Sequence, residues 1–288
     1  MNSVPIPAAL GYAEAIELAA AHYENFPVAS ILLPENYRKH IAVIYWFART
    51  ADDIADEGEK SISERQSELD SFLDSFRSAI RGELKDYKWQ ALAYTISAFN
   101  LSIINFEDLI SAFRQDTKKK RYLNHEELSD YCRRSANPVG RLLLELFNIR
   151  NEQANFYSDK ICTALQLINF YQDVSVDIKK GRIYLPLDTL KRYYLSESDF
   201  LLDEQKLNFG KMMEELAGES ERMLLEGRHL LPFLPFRLRF EIAATINGGL
   251  EIIRKIRNIR YQVSTIRPVL KKSDYLQIGI KSLIHAVV

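Results

Sequence analysis

Residues 41–58, IAVIYWFARTADDIADEG, pass from a segment that is apolar on every side into four acids: Asp52, Asp53, Asp56 and Glu57. A helix apolar all round belongs in a protein interior, so these acids stand at the end of a buried rod. At 3.6 residues per turn Arg49, Asp52 and Asp56 share one face, and Gly58 is the stop signal. The placement is electrostatically odd. A helix C-terminus carries partial negative charge, so acids there cost a few tenths of a kcal/mol or more each. Burial raises that cost unless a cation is present. For this stretch alone, a solvated acidic turn leaving the core competes on equal terms.

A second stretch removes the balance. In residues 164–182, ALQLINFYQDVSVDIKKGR, the polar positions Gln166, Asn169, Asp173 and Asp177 fall at i, i+3, i+7 and i+11. On a helical wheel they span about 80° of an otherwise apolar helix. A narrow polar seam with apolar flanks faces a cavity or a ligand. Two buried helices each delivering an Asp-x-x-x-Asp pair would repel one another unless something positive lay between them. Carboxylate oxygens without His or Cys partners suit a hard ion. Mg²⁺ is the natural choice, because it bridges one or two protein carboxylates to phosphate oxygens.

Composition narrows the fold. Only 11 Gly and 9 Pro occur in 288 residues, and helix formers dominate most windows, which argues for an all-α chain. The expected arrangement is one domain over residues 1–288, with no linker, short repeat or low-complexity segment to divide it. Cys132 and Cys162 are too few for a disulfide framework or a zinc site, so a reducing cytoplasm is the default location. No run reaches the roughly 18 apolar residues of a membrane span, and no basic n-region opens the chain. The net charge of −1 gives no nucleic-acid footprint. Residues 221–288 nonetheless carry a surplus of +7 against −8 in the remainder. A basic end of this kind suits an anionic ligand or membrane surface, or is simply a solvated face.

Apolar spacing places helices over residues 12–23, from Pro34 through the organising stretch, and over 61–82, 89–101 and 106–113. A basic loop, TKKKRYLN, occupies 117–124. Asn124 with Glu127 reads as a helix N-cap, and the helix from His125 is disturbed near Asn137-Pro138. The second long helix covers 155–180, and GRIYLP at 181–186 is a loop with room for a short extended piece. Further helices run through 240–261, Pro268 is a stop, and a final turn is rich in Leu and Ile. A di-iron carboxylate bundle would need two Glu-x-x-His motifs, and only Glu226 to His229 fits. Gly-rich phosphate loops, Gly-x-Ser-x-Gly and nucleotide fingerprints are missing from the sequence.

Taken together, YWFARTADDIADE (45–57), YCRRSANPVG (131–140) and QLINFYQDVSVDIKKGRIYLP (166–186) resemble the squalene and phytoene synthase family of isoprenoid enzymes over nearly the whole chain. HYENFPVAS (22–30) is similar to its bacterial hydroxysqualene synthase branch, which works in hopanoid biosynthesis. The resemblance implies an isoprenoid (terpenoid) synthase helical bundle with a central cavity. It implies that Asp52, Asp53, Asp56, Asp173 and Asp177 hold Mg²⁺, with Mn²⁺ as an alternative and no NADPH. Arg49, Asn169, Lys179, Arg182, Arg267 and Lys271 would bind diphosphate. Phe26, Val139, Gly140, Leu165, Gln166 and Phe170 would line the cavity, and His22, Tyr45, Arg133 and Asn137 would stand near the reacting carbons.

One departure bears on the reaction. Condensing members have a tyrosine where this chain has Arg133, and Asn137-Pro138 replaces small residues. That fits an enzyme starting from presqualene diphosphate better than one joining two farnesyl diphosphates. The implied reaction is ionisation, rearrangement and water capture to give hydroxysqualene, between a presqualene diphosphate synthase and a hydroxysqualene reductase. A condensing squalene, phytoene or presqualene diphosphate synthase and a non-catalytic helical interaction protein are the alternatives. A lipid substrate makes peripheral contact at the inner membrane face an expectation, through the basic C-terminal third and the apolar tail 278–288, with a last helix packed on the core as the other reading.

Overall fold

The computed structural model describes residues 4–21 and 33–287, and every regular element among them is helical. In order, the helices are α1 (Ile6–Ala21), α2 (Glu35–Asp56), α3 (Ile62–Ile80), α4 (Tyr87–Phe99), α5 (Ile103–Asp116), α6 (His125–Ser135), α7 (Asn137–Leu146), α8 (Glu152–Gln172), α9 (Val174–Asp177), α10 (Leu187–Arg192), α11 (Lys206–Gly227), α12 (Phe236–Asn258) and α13 (Lys272–Val287), with short 3₁₀ turns between them. Residues group into two compact units. The first comprises 1–118 and 141–150, the second 119–140 and 151–288.

In the first unit α2 is the buried rod its sequence requires. Ile41, Ala42, Val43, Ile44, Trp46 and Phe47 are all buried. Phe47 packs against Phe72, Phe76, Trp89 and Phe106 with ring centroids 5.0–6.1 Å apart, offset and edge-on contacts that add to burial. Behind it, α1 lies directly on α4. A Cβ at Gly11 would sit 2.0 Å from the Tyr87 carbonyl oxygen, so only glycine permits the approach. Tyr12, His40 and Thr95 form a buried polar knot between these helices, with Tyr12 Oη 2.7 Å from Thr95 Oγ1 and 3.0 Å from His40 Nδ1.

The second unit is built on α8, which packs against α6, α11 and α12. Asn124 caps α6 by accepting from the Glu127 amide at 2.9 Å, as its sequence signature requires. Ala136, at φ −116° and ψ −48°, ends α6, and α7 begins at Asn137. Gly140 then meets α8 closely: a Cβ there would lie 2.3 Å from Ser158 Oγ and 2.6 Å from Cys162 Sγ.

Several boundaries differ from the sequence reading. The helix read over 155–180 ends at Gln172, and Asp173, at φ −98° and ψ 8°, separates it from the short α9. Val174, Val176 and Ile178 follow, β-branched residues that weaken helix continuation. The Leu- and Ile-rich end is a 16-residue helix, not a turn. The first helix begins at Ile6, six residues before Tyr12.

Candidate active site

The end of α2 carries its acids around one arginine. Arg49 Nε lies 2.7 Å from Asp53 Oδ1, Nη2 lies 2.7 Å from Glu57 Oε1, and Nη1 lies 4.0 Å from Asp52 Oδ2. Burial lowers the tendency of this guanidinium to hold its proton, but Asp53, Asp52 and Glu57 outweigh it and raise the pKa. The adverse helix-end charge has a second remedy from α3. Arg65 donates to the carbonyls of Ile54, Glu57 and Gly58 at 2.7–3.0 Å, covering backbone oxygens that an α-helix C-terminus leaves without partners. Gly58 leaves the helix at φ +76°, the left-handed stop expected of it. One turn before Arg49, Tyr45 is half-buried, and its burial raises the phenol pKa.

The second acid pair, at the end of α8 and in α9, is also held by arginines. Asp173 is gripped by Arg267, with Nε 2.5 Å from Oδ1 and Nη2 3.3 Å from Oδ2. Asp177 Oδ1 lies 3.9 Å from Arg182 Nε, and both of these side chains are largely enclosed. Despite the break, the Asp177 amide donates to the Asp173 carbonyl at 2.9 Å, so the two aspartates keep their one-turn spacing. Gln166 is half-buried and Asn169 exposed on the same seam. Gln172 Nε2 donates to the Pro268 carbonyl at 2.7 Å, which fixes the segment bearing Arg267 against the helix end.

A floor of rings lies beside this pair. Phe170 stacks on Tyr184 at 3.8 Å and 1°, and Tyr131 and Tyr122 extend the cluster. Phe170, Val174, Asp177 and Arg182 line a small crevice of about 10 Å³ here. The loop 181–188 is fastened to the basic loop: Ile183 N donates to Lys120 O, Leu187 N to Tyr122 O, and Arg121 Nη1 to Gly181 O. Sequence reasoning gave the basic loop no role at the site, although its three consecutive lysines were the available signal. Lys120, Lys179, Lys180 and Lys271 are exposed.

The remaining candidates divide. Arg133 is exposed and pairs with Asp130 at 2.9 Å, which also takes Arg134. Asn137 is buried, its Oδ1 accepting from Thr163 Oγ1 at 2.9 Å, so it ties α7 to α8. Val139 and Leu165 are half-buried, and Gly140 is buried against α8. His22 and Phe26 lie outside the described residues.

The donor set suits a hard cation in kind, since Asp52, Asp53, Asp56, Asp173 and Asp177 offer only carboxylate oxygens. Among the described residues no three His, Cys, Asp or Glu side chains converge on one point. Arg49 lies beside Asp53 and Arg267 beside Asp173.

Comparison with known proteins decides the family. The squalene/phytoene synthase model matches residues 19–274. The chain belongs to the squalene/phytoene synthase family. Within that family it is 36% identical to a hydroxysqualene synthase of Zymomonas mobilis, over 70% of this chain and 67% of that one. A hydroxysqualene synthase of Sinorhizobium fredii is 32% identical, over 83% and 81%. Among solved structures, the squalene synthase HpnC of Alicyclobacillus acidocaldarius superposes with a TM-score of 0.84 at 34% identity, covering 90% of this chain and 97% of that one. The all-α isoprenoid synthase fold expected of the sequence is thereby established, and the chain is an enzyme of a family that acts on isoprenoid diphosphates.

Proposed function

We propose that this enzyme converts presqualene diphosphate to hydroxysqualene. The observation that carries the reading is the presence of two acid sets beside arginines, Asp53 and Glu57 with Arg49 at the end of α2, and Asp173 and Asp177 with Arg267 and Arg182 across α8 and α9. The two hydroxysqualene synthases of 32–36% identity support the choice of reaction. The reaction cleaves the carbon–oxygen bond of the ester, and the oxygen keeps the electron pair as diphosphate leaves. The cation rearranges, one water adds its oxygen, and a proton is released. Electrons balance without a reductant, in keeping with a sequence that has no nucleotide fingerprint.

Asp52, Asp53, Asp56, Asp173 and Asp177 would hold Mg²⁺, or Mn²⁺ in its place. The bound ion would contribute Lewis-acid neutralisation of the diphosphate. Arg49 at the end of α2, and separately Arg182 and Arg267 at the second acid pair, would add fixed positive charge toward a diphosphate, and their carboxylate neighbours hold them in place beforehand. A dry cavity lined by aromatic and aliphatic side chains would stabilise the carbocation through ring faces and would not quench it.

The test is an incubation of purified protein with Mg²⁺ and presqualene diphosphate, followed by analysis of the lipid extract. Hydroxysqualene is expected. Unaltered substrate would overturn the reading. A parallel incubation with farnesyl diphosphate alone is expected to give little turnover, whereas efficient consumption would assign the chain to the condensing members.

A further inference from the structure

Helix α13 is amphipathic in the inverted sense. Its packed face is polar: Asp274 receives Lys255 Nζ at 2.8 Å, and Ser282 accepts from Asn247 Nδ2 at 2.9 Å. His285 Nδ1 lies 3.4 Å from the same Asn247 nitrogen, and Ile278 is the apolar member buried between Asp274 and Ser282. The opposite face is apolar and open. Leu276, Ile280, Leu283 and Ile284, at i, i+4, i+7 and i+8, are 52–69% exposed. Single exposed leucines need no explanation. Four on one face, opposite a polar seam that anchors the helix, form a patch directed at a partner.

The surroundings specify that partner. Ile266 and Val269, both about half exposed, extend the apolar surface along the preceding segment, and Tyr275 is exposed beside it. Lys271, Lys272 and Lys281 are exposed on the same helix and its entry. Residues 221–288 carry the +7 surplus. Like charges oppose a second copy docking face to face. A stripe of two helical turns also falls well short of the roughly 20–30 residues a side of a stable protein interface. Apolar side chains ringed by lysines and an aromatic match the boundary of an anionic bilayer, where the chains enter the acyl edge and the cations meet headgroups. No described helix is long and apolar enough to cross a membrane, so the contact lies in the surface plane.

We propose that the outer face of α13, continued by Ile266 and Val269, docks this enzyme on an anionic lipid surface. The docking segment is joined to the second acid pair by the Gln172–Pro268 hydrogen bond and the Arg267–Asp173 ion pair. A membrane-dissolved substrate would thus reach a protein already seated on its source.

The experiment is co-sedimentation of the full chain with phosphatidylglycerol-rich vesicles and with pure phosphatidylcholine vesicles, for wild type and for the triple variant Leu276→Glu, Ile280→Glu, Leu283→Glu. Wild type is expected to sediment with the anionic vesicles and far less with the neutral ones. The triple variant is expected to lose binding by on the order of tenfold or more. Its melting temperature should stay at the wild-type value, because these side chains face solvent. Equal binding of both proteins, or no binding of wild type, would overturn the proposal. So would light scattering that shows a wild-type dimer dissolved by the same substitutions. Vesicle binding requires no isoprenoid substrate, so failure of the activity assay leaves this inference standing, and the converse holds.

Discussion

Arg267 Nε lies 2.5 Å from Asp173 Oδ1, across 94 positions of sequence. The guanidinium occupies carboxylate oxygens that a divalent cation would also take, and it carries charge that a diphosphate would seek. Removing it should therefore move two affinities in opposite directions. In Arg267→Gln, calorimetry is expected to show Mg²⁺ alone binding severalfold tighter, because Asp173 loses its fixed counter-ion. Pyrophosphate added with Mg²⁺ should bind about tenfold more weakly. If neither affinity moves, Arg267 only braces the loop.

Arg49 holds three acids at the end of α2, but its partners are partly open to solvent, with Asp53 at 34% and Glu57 at 64% exposure. Such pairs contribute on the order of 1 kcal/mol or less to stability. Arg49→Ala should leave the melting temperature within a few degrees of wild type while lowering kcat/KM by about 10²-fold or more. Arg49→Lys should recover only part of that loss, since an ammonium lacks the guanidinium fork that reaches Asp53 and Glu57 together. Collapse of the fold in Arg49→Ala would assign the residue a structural role instead.

His40 is buried in the knot with Tyr12 and Thr95, and burial pushes its pKa down from 6.5 to about 4. Between those values the unfolded chain binds a proton that the folded chain refuses. Stability from this group is therefore complete above pH 6.5 and is lost as pH falls towards 4, at up to about 1.4 kcal/mol per pH unit. Melting curves of wild type and His40→Gln across that window check the sign. The wild-type curve should fall more steeply with acid, and parallel curves would contradict the assignment.

Gly11 sets the distance between α1 and α4. A Cβ there would meet the Tyr87 carbonyl at 2.0 Å, and backbone cannot turn aside as a side chain can. Gly11→Ala is expected to cost about 1–3 kcal/mol in chemical denaturation, although alanine is the better helix former. An unchanged midpoint would show that the two helices separate without penalty.

The sequence was most legible where one local rule governed the outcome. The apolar run 41–47 demanded burial, Gly58 demanded a left-handed stop, and Asn124 demanded a cap, and α2 and α6 follow accordingly. Partners distant in sequence were not legible in residue patterns. Nothing near Arg65 announces that it covers the carbonyls ending α2, and nothing near Arg133 separates a role at the reacting carbons from its exposed pairing with Asp130. The break at Asp173 escaped because the Asp-x-x-x-Asp spacing survives it: the one-turn hydrogen bond to Asp177 remains while the helix ends. For the apolar tail 278–288 the residue pattern left surface contact and core packing both open, and the inversion in α13, polar residues packed inward and apolar ones exposed, depends on partners such as Lys255 that lie far off in sequence.

The central claim is that this chain ionises presqualene diphosphate and captures the cation with water. It is tested most directly by running the reaction in heavy-oxygen water with Mg²⁺ and measuring the mass of the product. The account predicts hydroxysqualene with the solvent's oxygen in its hydroxyl group and an equal amount of released pyrophosphate. Product whose hydroxyl oxygen comes from the diphosphate ester, a hydrocarbon without oxygen, or unchanged substrate would contradict it.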